Sequence, residues 1–320
     1  MRIVRSLAFA TLAVVTVASG ASGESRRGVL LLAHGGNEHW NAQVEQLAAK
    51  VDQVAPTEVA FGMATRANIQ AAVDRLHERG VSEIVAVPLF VSSWSSVITA
   101  TEYLLGQRAE APPQLAMFAK MNHGGHNHGH GHGHHPPAGT NGHDAHATHA
   151  SREETPDPLS PVVSKLPIRM TPALNDHPVV SEILLSRARS ISEDPIREAV
   201  VIVAHGPVGE EENRRWLADM ESIAARMRKA HPFASIDCLT LRDDAPKPIR
   251  DAATAELRQL VSKRIEEDRR VLIVPLLVSF GGIERGLRER LEGLPYAMPS
   301  AALVPDDRLV AWVLEMAGTP

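Results

Sequence analysis

The chain has 320 residues, of which 44% are hydrophobic and 4% aromatic, and its formal net charge is −5. This length suits about two domains with substantial cores, and the negative charge without a basic stripe excludes nucleic acid as the expected partner. Cys238 is the one cysteine of the chain, so an internal disulfide is excluded and we expect a buried, inert thiol.

Residues 1–23 have the pattern of a secretory signal peptide. Arg2 and Arg5 precede an apolar stretch at 7–18, and small residues follow at 18–23. The apolar stretch is too short to span a bilayer comfortably, and no other segment is apolar for long enough. We therefore expect a cleaved leader and a periplasmic or secreted mature protein without a membrane span. An uncleaved N-terminal anchor is the alternative.

The remaining sequence contains two similar halves. Residues 29–35 (VLLLAHG) are repeated as 200–206 (VVIVAHG), and residues 84–92 (IVAVPLFVS) are repeated as 271–279 (VLIVPLLVS). The distance between the copies is that of a duplicated domain, since solenoid units repeat about every 20–50 residues. We therefore expect two similar lobes with one cleft between them.

The first half alternates between strand and helix patterns. Its periodicity predicts strands at 28–33, 57–61, 82–91 and 166–172, and helices at 41–54, 68–79, 97–105 and 177–190. The third strand is apolar almost throughout, which is typical of a strand that helices cover on both faces. Residues 122–161 interrupt this pattern.

The second half follows the same order. We predict strands at 199–204, 235–241, 270–279 and 300–304, and helices at 212–230, 248–267, 284–292 and 307–316. Strands that alternate with helices over short connections form parallel sheets through right-handed crossovers. The predicted fold is α/β, with two doubly wound lobes at 27–193 and 198–318. Each lobe is expected to hold a parallel four-stranded sheet flanked by helices.

The insert at 122–161 is rich in glycine, histidine and proline, and we predict that it is disordered. Ten of the sixteen histidines of the chain lie between residues 123 and 149. Imidazoles at this density bind Ni²⁺, Co²⁺, Zn²⁺ or Cu²⁺ in many conformations, whereas a solvated linker of biased composition is the alternative. The predicted metal ligands of the insert are His123, His126, His128, His130, His132, His134 and His135.

Two histidines occupy equivalent positions at predicted strand ends. His34 and His205 each follow the first strand of their half, and ligands bind beyond the carboxyl ends of parallel strands. We expect both to be catalytic residues and metal ligands, although a histidine that caps a turn is the alternative. The residues expected to contact the bound ligand are Gly35, Gly36, Ser92, Ser93, Ser96, Gly206, Ser279, Gly281 and Gly282.

Several segments together resemble the class II tetrapyrrole chelatases, the family of sirohydrochlorin cobaltochelatases and ferrochelatases. That family has an apolar strand followed by His-Gly-Ser and then an Asn at the helix start. Its third strand ends in Val-Pro-Leu-Phe-Leu, and a Pro-Leu-x-x-His-Pro run precedes a later helix. The matching segments here are 34–36 with Asn41, 205–207 with Asn213, 87–91, 274–278 and 172–178.

The resemblance implies insertion of a divalent metal into a tetrapyrrole, with Co²⁺, Ni²⁺, Fe²⁺ or Zn²⁺ as substrate or ligand and no organic cofactor. His34 and His205 would then serve as metal ligand and base.

The chain departs from the family at the second metal-binding histidine, usually in a Gly-x-His arrangement. Here that position falls near Ser96 in one half and Ile283 in the other. Glu284 is a candidate oxygen ligand, and a charge that stabilises a helix N-terminus is the alternative. Because of this departure and the predicted leader, a second hypothesis is a non-catalytic extracytoplasmic protein that binds or delivers divalent metal.

Overall fold

The computed structural model describes residues 26–123 and 157–319. The predicted signal peptide and residues 124–156 of the insert lie outside these ranges. The elements of the first half are β1 (Arg27–Ala33), α1 (Glu38–Asp52), β2 (Thr57–Phe61), α2 (Arg66–Glu78), β3 (Glu83–Leu89), α3 (Ser96–Leu104), α4 (Leu115–His123), β4 (Ile168–Met170) and α5 (Pro178–Arg189).

The first sheet is parallel, with strand order β2-β1-β3-β4. Residues 28–33 of β1 and residues 84–89 of β3 are buried, because helices cover both faces of these central strands. Ala33 pairs with Phe61 on one side and with Leu89 on the other. The three strands therefore end at the same edge of the sheet.

The second half contains β5 (Glu198–Ala204), α6 (Glu210–Ala230), β6 (Ser235–Thr240), α7 (Lys247–Glu266), β7 (Arg270–Leu276), α8 (Ile283–Arg290) and α9 (Arg308–Ala317). Its sheet is parallel, with strand order β6-β5-β7. The duplicated α/β architecture predicted from the sequence is confirmed.

The second sheet has three strands rather than the predicted four. A single bridge joins Leu272 of β7 to Ala297, just before the segment predicted to be the fourth strand, and within that segment Leu303 N donates to Leu277 O at 3.0 Å. Pro299 and Pro305 flank the predicted strand. Proline has no N–H to donate, so it interrupts a ladder of backbone hydrogen bonds.

The last helix of each half packs on the sheet of the other half. Helix α5 contacts β7 and α6, whereas α9 contacts β3 and α1. Arg187 Nε of α5 donates to Ala302 O at 2.8 Å, and Arg169 Nη2 of β4 donates to Ala317 O of α9 at 2.9 Å. Each sheet is therefore covered in part by the last helix of the other half of the chain.

The described part of the insert is ordered at both ends. Helix α4 was not predicted, and it packs Leu115 and Phe118 into the core beside α2 and α3. After the gap, Arg66 Nε donates to Ser160 O at 3.0 Å and Arg66 Nη2 donates to Pro161 O at 3.3 Å. Disorder was predicted for 157–161 as well, and there the prediction is wrong because a buried arginine holds the segment.

None of the helices in the two described ranges is long and apolar enough to cross a membrane.

Candidate functional site

Both candidate histidines stand in glycine turns at the carboxyl end of the first strand of their sheet. Gly35 and Gly206, which follow them, have φ angles of +79° and +76°, a conformation that favours glycine. The His34 side chain is exposed, and its Nδ1 lies 2.7 Å from Gly35 O. The His205 side chain is 27% exposed, and its Nε2 lies 3.6 Å from Asp244 Oδ2. Both imidazoles are therefore accessible from solvent.

Two asparagines support these turns in equivalent positions. Asn41 Oδ1 accepts a hydrogen bond from Gly36 N at 2.9 Å. Asn213 Oδ1 accepts one from Thr240 Oγ1 at 2.7 Å, and Thr240 borders the second turn, where a Cβ on Gly206 would lie 2.6 Å from Thr240 Cβ. The two asparagines, which carried part of the family resemblance, therefore have a structural role, since each links a histidine turn to neighbouring residues.

A buried arginine, which the sequence analysis missed, holds the His205 turn from the next loop. Arg242 is 5% exposed and has a φ of +56°. Its backbone N donates to His205 O at 2.8 Å, and its Nε donates to Pro207 O at 2.6 Å. Arg242 also forms an ion pair with Glu210, and this hydrogen-bonded guanidinium lowers the pKa of the Glu210 carboxyl.

The strand-end loops of each half contact the first helix of the other half. Trp216 Nε1 of α6 donates to Trp94 O in the loop after β3 at 2.8 Å. Ser279 Oγ in the loop after β7 donates to Gln43 Oε1 of α1, and a Cβ on Gly281 would lie 3.1 Å from Trp40. Helices α1 and α6 both begin directly after a histidine turn, so both turns border the interface between the lobes.

The predicted serines mainly shape these loops. Ser92 and Ser279 are buried, and Ser92 Oγ accepts a hydrogen bond from Trp94 N at 3.1 Å. Ser93 Oγ accepts from Ala173 N at 2.9 Å, and Ser96 is the first residue of α3. The loops open at the expected edge, but Ser92, Ser93 and Ser279 form hydrogen bonds inside the protein rather than presenting free hydroxyls to a ligand.

Glu284 stabilises the start of α8. Its Oε2 accepts hydrogen bonds from Gly281 N at 3.0 Å and from Gly282 N at 2.8 Å. Burial acts to raise the pKa of the Glu284 carboxyl, but these backbone donors outweigh burial and the pKa is lowered. The two glycines, expected to contact ligand, donate their amides to this carboxylate. The contacts favour the helix-terminus role for Glu284 over the metal-ligand role.

The described residues contain no group of three His, Cys, Asp or Glu side chains placed to hold a metal ion. His34, His205 and Glu284 are thus not gathered into one preformed three-ligand site. His123 ends α4, and nothing is described of its side chain. The other predicted ligands of the insert, at 126, 128, 130, 132, 134 and 135, lie outside the described residues.

A cluster built from both halves escaped the sequence analysis. The guanidinium of Arg215 lies 4.5 Å from the ring centroid of Trp94, which is 37% exposed. Asp219 lies one turn further along α6. Burial, together with the charge of Asp176, raises the pKa of the Asp219 carboxyl. Trp94 and its partners are remote in sequence, so no local motif could have revealed the cluster.

Comparison with known proteins supports a chelatase type of fold. The family model CbiX matches residues 28–123. No curated protein sequence matches the chain.

Solved structures of similar fold include SirB from Bacillus subtilis with Fe³⁺, which is 13% identical with a TM-score of 0.55 and covers 92% of this chain and 94% of its own. The sirohydrochlorin chelatase SirB from Bacillus subtilis subspecies spizizenii, in complex with cobalt, is 13% identical with a TM-score of 0.53, over 92% and 97% of the two chains.

The multi-domain protein DR2241 from Deinococcus radiodurans, described as structurally similar to chelatases, is 18% identical with a TM-score of 0.50. The match covers 92% of this chain but only 55% of DR2241, so the chain spans about half the length of that protein. The first half of this chain thus carries a CbiX match, and the molecule as a whole has a chelatase-like α/β fold.

Proposed function

We propose that this protein binds a tetrapyrrole and a divalent metal between its two lobes and inserts the metal into the macrocycle. The observation that carries the proposal is the position of His34 and His205. Both imidazoles are accessible, and both stand in equivalent glycine turns at the edge where parallel sheets bind ligands. The CbiX match and the similarity to SirB support the same reaction class.

The two imidazoles suit the chemistry of metal insertion. The macrocycle has to lose two pyrrolic protons as the ion enters, and a free imidazole titrates at a pKa of about 6.5, so near neutrality it can bind an ion or accept a proton. We propose that one imidazole ligates the metal while the other accepts a proton. Co²⁺, Ni²⁺, Fe²⁺ and Zn²⁺ all accept imidazole ligands, so geometry and supply select among them.

The test is metal insertion by the purified mature protein, followed by absorbance with sirohydrochlorin and Co²⁺. We expect the wild-type protein to accelerate insertion and the double variant His34→Ala/His205→Ala to return it to the uncatalysed rate. His77→Ala is a matched control, because His77 is an exposed histidine in the last turn of α2. Equal rates for the wild-type protein and the double variant would refute the proposal.

A second candidate is a non-catalytic protein that binds or delivers divalent metal outside the cytoplasm. It is supported by Ser96 and Ile283, which stand near the family's second metal-binding histidine, and by the histidines at 123–149. Deleting 124–156 should lower the number of Ni²⁺ or Co²⁺ ions bound in a titration, and an unchanged number would remove the metal-binding role of the insert. For location, we expect periplasmic or secreted protein whose N-terminus, read by mass spectrometry, follows residue 23.

A further inference from the structure

Resting on the proposed function, we propose that Trp94 and Arg215 form a recognition point for the tetrapyrrole at one end of the interface between the lobes. The exposed part of the Trp94 indole packs against the plane of the macrocycle, and the Arg215 guanidinium binds a carboxylate on the ring's periphery. The ligand class is therefore a planar tetrapyrrole that carries peripheral carboxylates.

Trp94 is rigidly held although more than a third of it is exposed. Its backbone N donates to Ser92 Oγ at 3.1 Å, and its backbone O accepts from Trp216 Nε1 at 2.8 Å. The Arg215 guanidinium covers its indole ring. An aromatic ring that is fixed before binding loses little conformational entropy when a planar ligand packs against it. The ring is thus preorganised for stacking at the carboxyl edge of the first sheet.

Arg215 is held in place but remains available to a ligand. Its guanidinium stacks on Trp94 at 4.5 Å, an arrangement that favours the charged group. Its ion-pair partner is Glu211 at 3.2 Å, which also pairs with Arg214, and the Arg215 side chain is 48% exposed. Because an exposed pair of this kind contributes little energy, a ligand carboxylate can replace Glu211 and accept two parallel hydrogen bonds from the guanidinium.

The equivalent place in the other half has different chemistry. Asn41 of α1 corresponds to Asn213 of α6, so Gln43 stands where the second half has Arg215. The loop that faces Trp40 presents Gly281 rather than a tryptophan. Among the described residues, the combination of exposed indole and guanidinium therefore occurs at one end of the interface, and it distinguishes the two edges of a bound macrocycle.

The test is a binding titration of the full mature protein, without metal, against two water-soluble porphyrins followed by their absorbance. Uroporphyrin I carries eight carboxylates, and tetrakis(N-methylpyridinium)porphyrin carries the same ring with positive charges. We expect Arg215→Gln to weaken the binding of uroporphyrin about tenfold without weakening the binding of the cationic porphyrin. Trp94→Leu should weaken both. Arg214→Gln is the control and should leave both affinities unchanged, because Arg214 shares Glu211 but is not stacked on Trp94.

The ratio of the two affinities separates recognition from a purely structural role, since a loosened interface would weaken both porphyrins in Arg215→Gln. The inference is overturned if the Arg215→Gln and Trp94→Leu variants bind uroporphyrin with the affinity of the wild-type protein, even if the wild-type protein inserts metal. Equal losses of uroporphyrin affinity in the Arg215→Gln and Arg214→Gln variants would overturn the inference as well. A wild-type protein that selects uroporphyrin through Arg215 but inserts no metal would uphold the inference while refuting the catalytic proposal. A wild-type protein that binds neither porphyrin would also overturn the inference, whereas the insertion assay with sirohydrochlorin decides the catalytic proposal.

Discussion

The glycines that follow the two site histidines have similar backbone angles but different surroundings. A Cβ on Gly35 would lie 3.3 Å from Phe61 Cβ, whereas a Cβ on Gly206 would lie 2.6 Å from Thr240 Cβ. The repeated His-Gly pair made the turn predictable from the sequence. The difference in free space around the two glycines was not predictable, because that space depends on the residue at the end of the neighbouring strand.

We predict that Gly206→Ala destabilises the protein more than Gly35→Ala. Both alanines would have a positive φ, which costs about 1–2 kcal/mol, but only the alanine at 206 would also force Thr240 away. Urea unfolding of the two variants beside the wild-type protein measures the difference. Equal losses of stability would show that the contact with Thr240 relaxes freely.

Asp219 gives a prediction about pH. Its pKa is raised by burial and by Asp176, and Asp219 Oδ2 is buried without a hydrogen-bond partner. Because the pKa of Asp219 is raised in the folded state, its charged form destabilises the fold. This destabilisation is complete at pH values above the folded-state pKa and absent at pH values below the ordinary pKa of 3.8. Asp219→Asn keeps the size and shape of the side chain and removes that charge.

We therefore expect Asp219→Asn to melt at a higher temperature than the wild-type protein at pH 7.5, with a difference that shrinks as the pH falls towards 4.5. Thermal melts followed by circular dichroism at both pH values provide the measurement. Asp251→Asn, which changes an exposed carboxylate paired with Lys247 on α7, should alter the melting temperature much less. A difference for Asp219→Asn that grows as the pH falls would contradict the prediction.

At the scale of the elements, the sequence predicted the individual strands and helices better than the partners of those elements. β1, β3, β5 and β7 were predictable because runs buried on both faces are apolar throughout. Helix α4 was missed, since its short apolar pattern adjoins the histidine-rich insert. The exchange of α5 and α9 was beyond prediction, because an amphipathic face shows that a helix is covered but not which sheet covers it.

Because α9 packs on the sheet of the first half, we predict that a destabilising substitution in α9 affects the strands of that sheet. Trp312 of α9 is fully buried, and Trp312→Ala should cost about 3–5 kcal/mol. Because α9 packs on β3, hydrogen exchange should accelerate at 84–89 more than at 271–276. Leu287→Ala in α8, within the core of the second lobe, should show the opposite pattern. Faster exchange in β7 than in β3 for Trp312→Ala would contradict the described packing.

At the scale of the whole molecule, one large core contains buried residues from both halves, from Val29 to Ala317. The duplication and the edge that carries the candidate site were predictable, because the repeated motifs mark strand ends. The pairs that join the lobes, such as Trp94 with Trp216, were not predictable. Their members come from opposite halves and from non-equivalent elements, so neither periodicity nor repetition relates them.

The exchanged helices also determine how the cleft can open. The chain passes between the packed lobes at 171–177, before α5, and again at 304–307, before α9. At the second crossing, Pro305 O accepts a hydrogen bond from Arg187 Nη2 near the C-terminal end of α5 at 2.9 Å. Any rotation of one lobe against the other therefore has to bend the backbone at both crossings. Two connections restrict such a rotation more than a single linker would, so the movements of the two histidine turns are coupled.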